Sequence, residues 1–95
     1  MGCDYYIVEQ LRVSFDGMRN PFLIKWRYER LWGVDALGLI EKKNQHTSVL
    51  LYENGVKKQA CDEICEIVKS RILFLEKDWE DIVSIHLDEF VFERY

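Results

Sequence analysis

Residues 4–15 read DYYIVEQLRVSF, and their alternation decides the fold. Tyr5, Ile7, Leu11, Val13 and Phe15 fall on one face, with Glu9 the one charged exception, while Gln10, Arg12 and Ser14 fall on the other. A period of two, carried by β-branched and aromatic residues, predicts a half-buried strand. Residues 16–21, DGMRNP, supply turn chemistry. Residues 22–30, FLIKWRYER, then alternate again, placing Phe22, Ile24, Trp26 and Tyr28 opposite Lys25, Arg27 and Glu29. Two such runs predict an antiparallel hairpin with a longer loop.

Residues 33–46 are ambiguous: Gly33 and Gly38 weaken any regular element, and a short helix capped by Asp35 competes with a continuing strand. TSVLLYE at 47–53 reads as a strand stopped by Asn54-Gly55, a dipeptide that tolerates positive φ. From about Lys58 to Glu76 the period changes. Ala60, Ile64, Ile67, Val68, Ile72 and Leu75 recur at three- and four-residue steps, the stripe of an amphipathic helix. Ile82 to Tyr95 alternate through Val83, Ile85 and Leu87, then slip to Phe90 and Phe92, which predicts a bulge or turn near Asp88-Glu89. The expected fold is α+β. It is a three- to four-stranded, largely antiparallel sheet with one long helix, about 58–76, packed on one face, in the order β-β-(x)-β-α-β.

Composition bounds the function. The 95 residues are 48% hydrophobic and 32% charged, which suits one packed domain over 1–95. Apolar runs fall short of the ~20 residues needed to span a bilayer, and the opening lacks a basic segment followed by an apolar one. A soluble, intracellular protein is expected. Residues 1–47 hold seven basic and six acidic residues, and residues 48–95 hold six and eleven. The net charge of −4 disfavours non-specific nucleic-acid binding, which rests on phosphate neutralisation, and the acidic second half suits solubility or a basic partner protein.

Four short pieces resemble, in this order, a group of small uncharacterised proteins encoded by large DNA viruses of eukaryotes: MGCDYYI at 1–7, YENG at 52–55, WEDI at 79–82 and ERY at 93–95. The opening is the specific part, and together the pieces cover about a fifth of the chain. The resemblance implies a viral origin and a role in the infected host cell or in the virion. It carries no catalytic residues over.

The chemistry-bearing residues have plainer readings beside them. Gly2-Cys3 invites lipidation, but the position that myristoylation keeps for Ser or Thr holds Tyr6. Cys61 and Cys65 share a helix face and could supply half a zinc site, with Cys3, His46 and His86 as the remaining candidates; small apolar fillers of the core are the better account. His86 and Asp88 share the outer face of the last strand as an imidazole–carboxylate pair without a nucleophile, and are expected to be solvated. Glu80-Asp81 and Asp88-Glu89 read as solvated charge, and the five glycines make no phosphate loop. No enzyme, cofactor or metal is therefore expected.

Lys25, Arg27 and Arg30 interleave with aromatics as in nucleic-acid platforms. Strict alternation would put Lys25 and Arg27 on one face and Trp26 and Tyr28 on the other, so a single strand of RNA could not use both. The stronger signal is surplus apolar surface. Tyr6, Val8, Leu23, Leu50, Tyr52, Phe90 and Phe92 would not all fit under one helix, and they mark an interaction surface unless 33–46 covers them. The expected function is thus a non-enzymatic protein-interaction module with a viral or host protein partner, a homodimer being one form. A small virion component and an RNA-binding module using 25–30 are the alternatives.

Overall fold

A computed structural model describes residues 4–94. Five strands form one antiparallel, curled sheet: β1 (Asp4–Phe15), β2 (Phe22–Leu31), β3 (Gln45–Glu53), β4 (Val56–Lys57) and β5 (Ile82–Arg94). Their order is β2-β1-β5-β3-β4, so the last strand in sequence lies between the first and the third. Helix α1 (Asp62–Ile72) packs on one face. The α+β class and the β1–β2 hairpin are as expected from the sequence, but the sheet has five strands rather than three or four. The added strand, β4, is a two-residue arm that pairs Val56 with Glu53 and Lys57 with Tyr52 across the Asn54-Gly55 turn. Both turn residues have positive φ, 47° and 88°, the geometry that favours this dipeptide.

The helix is shorter than its apolar stripe. Cys61 is the N-cap, outside the helical conformation, with Asp62 and Glu63 in the first turn, where the helix dipole favours acids. After Ile72 the chain tightens into a 3-10 turn over Leu73–Leu75, and Glu76 ends it in the left-handed region. The ambiguous segment resolves into a 3-10 helix over Gly33–Lys42, with the following strand starting at Gln45. That 3-10 helix touches β1 and buries Ala36, at the end where Tyr5 and Val91 are also buried. It therefore closes the inner face, the one α1 packs against, at the end away from α1. It does not roof the outer face.

Leu11, Val13, Phe15, Ile24, Ile85, Cys65, Val68 and Ile72 form the centre of the core between sheet and helix. Three irregularities reset the side-chain phase. Glu9 pairs with Arg27 but Gln10 with Lys25, so Trp26 is an extra residue in β2. Leu50 pairs with His86 but Tyr52 with Ile85, so Leu51 is extra in β3. Ser14 pairs with Ser84 but Phe15 with Ile82, so Val83 is extra in β5. Each adds twist and turns the following side chains over. At Asp88-Glu89 the register runs unbroken, contrary to the bulge expected there. The shift from Leu87 to Phe90 arises because the outer face carries its own aromatic rings. Among the described residues no helix is long and apolar enough to cross a membrane.

Candidate interaction surface

The register fixes what the outer face presents. β1 contributes Tyr6, Val8, Gln10 and Arg12, and β5 contributes His86, Asp88, Phe90 and Phe92. His46, Ser48 and Leu50 come from β3, and Leu23, Lys25, Tyr28 and Arg30 from β2. Six of the seven residues expected at an interaction surface are therefore brought together. Tyr52 is the correction: the extra Leu51 swings it to the inner face, where it is 6% exposed within the core. Tyr28 replaces it on the outer face, 46% exposed, because the extra Trp26 turns Tyr28 outward.

Rings join the strands at one end of this face. Tyr6 and Phe92 have centroids 5.2 Å apart with planes at 10°, His46 and Phe90 are 4.5 Å apart at 9°, and Tyr28 leans on Tyr6 at 5.8 Å. Rings lying flat on neighbouring strands would be coplanar, and at such separations their edges would collide. Near-parallel rings this close must stack face to face, standing on edge at roughly the ~4.8 Å strand spacing. Each ring spends at least one face on a neighbour. What points outward is a ribbon of ring edges.

The middle of the face is polar, and the acid at its centre is buried. Asp88, expected to be solvated, is 2% exposed. Arg12 grips it with two hydrogen bonds, Nε to Oδ2 at 3.0 Å and Nη2 to Oδ1 at 3.3 Å. Gln10 Nε2 donates to Asp88 at 3.4 Å, and His46 Nε2 reaches Oδ1 at 3.3 Å. Burial alone would raise the Asp88 carboxyl, but the donors Arg12, Ser48, Gln10 and His46 outweigh it and hold the group well below the usual carboxylate range. The partner of Asp88 is thus His46 of the neighbouring strand, not His86. The His86 Nδ1 is buried without a hydrogen bond. Burial, then the Arg12 guanidinium, lower the His86 pKa and favour the neutral ring.

The basic run does not act as a unit. Trp26 and Arg27 both turn inward at the bulge, and Arg27 Nη2 meets Glu9 Oε1 at 2.9 Å. That pairing accounts for the one charged residue on the inner phase of β1. Arg30 Nη2 binds Asp4 at 2.7 Å and its guanidinium lies 4.3 Å over Trp32. Lys25 sits 4.5 Å over the Tyr28 ring.

Cys61 and Cys65 are buried under the helix with sulfurs 3.5 Å apart. Burial, then the neighbouring thiol, push the Cys65 pKa up to about 11, away from a nucleophilic thiolate. His46 and His86 stand on the opposite face of the sheet, so these four metal-ligand candidates do not converge. Gly2 and Cys3 lie outside the described residues. Among those described, no group of three or more His, Cys, Asp or Glu is placed to hold a metal ion. Compared with known proteins, the chain matches no family model, no curated protein and no solved structure.

Tyr28 and His46 are the surface residues that sequence reasoning missed. His46 could have been found by starting the third strand two residues earlier. Alternation alone could not have found Tyr28, because its phase depends on a bulge that alternation does not encode.

Proposed function

We propose that this chain is a non-enzymatic protein-interaction module that docks a partner on the outer face of its sheet, acting inside the host cell of a large DNA virus as its sequence resemblance implies. The observation that carries the reading is the ribbon of stacked, part-exposed rings on a sheet face over which no described element folds. Contiguous exposed apolar area of this kind usually marks an interface. A ribbon already stacked loses little side-chain freedom on binding, which lowers the cost of association. RNA binding through the basic strand has less support: bases stack on ring faces, and here each ring has at least one face taken by a neighbouring ring. Two of the three cations, Arg27 and Arg30, are also already paired with carboxylates.

The test is a paired capture from producing cells, using the wild-type chain and Phe92→Ser as bait. Partners retained by the wild type and lost by an equally folded Phe92→Ser variant are the expected result. Light scattering separates a homodimer, at about twice 11.4 kDa, from a monomer awaiting another protein. A wild-type chain that stays monomeric and captures the same proteins as the variant rejects the reading.

A further inference from the structure

Among the described residues the sheet has two open edges: β2, paired on one side with β1, and the part of β3 that the short β4 leaves uncovered. β2 is the longer of the two, and every residue from Arg27 to Arg30 on it is exposed. An edge strand presents a row of backbone N–H and C=O groups without strand partners, a template for another strand. Natural edges are kept apart by charges and bulges. β2 has both, in Lys25, Arg27, Glu29 and Arg30 and in the extra Trp26. The order of its charges sets it apart.

Arg27, Tyr28 and Glu29 read cation, ring, anion. Arg27 lies opposite Glu9 and Glu29 opposite Ile7, so both face inward, while Tyr28, opposite Val8, faces outward. Paired antiparallel to itself about Tyr28, the strand sets Arg27 of each copy opposite Glu29 of the other, two ion pairs related by one two-fold axis. Moving the axis to Arg27 opposes two guanidinium groups, and moving it to Glu29 opposes two carboxylates; like charges directly opposite are destabilising. The charges that repel a general partner thus select one register of self-pairing. Both groups have capacity to spare. Glu29 makes no hydrogen bond or ion pair with another described residue. The Arg27 side chain is 63% exposed and spends one Nη2 hydrogen bond on Glu9.

The rings lead to the same edge. Phe92 of β5, Tyr6 of β1 and Tyr28 of β2 follow one another across the sheet at 5.2 and 5.8 Å, and the ribbon stops at Tyr28 on the last strand. In the register centred on Tyr28, the two Tyr28 side chains are direct cross-strand neighbours on the outer face, with Cβ atoms ~5 Å apart. The ribbon then continues into the copy. We infer that the β2 edge takes a second copy of this chain, paired antiparallel about Tyr28, so that the two five-stranded sheets become one. Residues opposite each other in such a pair share a face, which puts both helices on one side and both ribbons on the other. The Trp26 bulge confines regular pairing to the few residues after it, so the interface is of the small, weak class. The pairing uses the edge of the sheet and does not rest on the outer-face reading.

Light scattering at rising protein concentration and low salt should show the 11.4 kDa chain passing into a dimer, and added salt should weaken it. Glu29→Lys, a change on an exposed side chain, sets cation against cation in this register and should weaken dimerisation about tenfold or more. Cross-linking in a glutathione redox buffer reads the register. Tyr28→Cys, on the axis, should form a disulfide with its own copy above the wild-type background. Leu23→Cys, exposed on the same face but away from the axis, should not. Phe92→Ser removes a ring and no edge charge, so it should dimerise as the wild type does, whatever proteins it captures. A dimer that survives Glu29→Lys but is lost in Phe92→Ser is joined through the outer face and overturns the inference. So does a wild type that stays monomeric throughout, or Leu23→Cys cross-linking as fast as Tyr28→Cys.

Discussion

Asp88→Asn should destabilise the fold more than any other single-atom exchange on the outer face. The variant keeps the shape of the side chain but removes the charge that Arg12 grips twice and that Gln10, Ser48 and His46 also approach. Stripping one partner from a fully buried ion pair costs about 3–5 kcal/mol. The Arg12 side chain is 35% exposed, so water recovers part of its loss. The expected cost is therefore about 2–3 kcal/mol, a fall in Tm of roughly 8–24 °C for a domain of this size. Urea unfolding followed by circular dichroism measures it, with the m-value unchanged. The pH dependence gives an independent check. A carboxyl held below its unfolded value of about 3.9 contributes stability that is complete above that pH and is lost as pH falls toward the folded value. The gap between wild type and variant should hold from pH 7 to about 5 and close progressively below about 4. Arg12→Met/Asp88→Leu, which removes both charges, should recover at least half of the loss. A variant within about 0.5 kcal/mol of wild type, or a gap that persists undiminished at low pH, would refute the reasoning.

Three further outcomes follow from the same packing. His86 should titrate below about 6.5 by NMR, and His86→Gln should flatten the fall in stability on acidification through that region, because the unfolded state takes up the proton first. Cys65→Ser should cost about 1–3 kcal/mol in urea unfolding, since a hydroxyl more polar than the thiol would be buried among Val68, Ile72 and Leu11. Gly55→Ala should cost only about 1 kcal/mol: a Cβ there meets no heavy atom within 4 Å, and the penalty is that of φ +88° alone.

What the sequence made legible was whatever depends on one strand or one helix at a time. The odd residues of β1 face the core as their period requires, and Cys61, Cys65 and Val68 lie inward along α1. The bulges were not legible, because an extra residue is chosen by the partner strand and leaves no mark in its own alternation. Trp26 is the instructive position. Counting twos from Phe22 puts Tyr28 in the core and Arg27 on the outside, and the bulge reverses both. Glu9 held the missing information, since a carboxylate on an apolar phase needs a cation brought to it. Leu51 did the same for Tyr52, moving it from the outer surface into the core. Asp88 was misread as solvent-facing because being on the outer face of a curled sheet is not the same as being wet.

The position of β5 bears on how the chain acquires its structure during synthesis. Its neighbours on either side, β1 and β3, share no edge with each other, so four strands and a helix emerge from the ribosome before the strand that joins them. Until then neither half of the sheet can close: the ring ribbon is not yet built, since both stacked pairs use β5, and the inner apolar residues stay open to water. Pairings this distant in sequence form slowly, and the waiting intermediate exposes the surfaces that favour association. A partner that held Tyr6 and Tyr28 of the first hairpin early would therefore act as a folding template as well as a ligand.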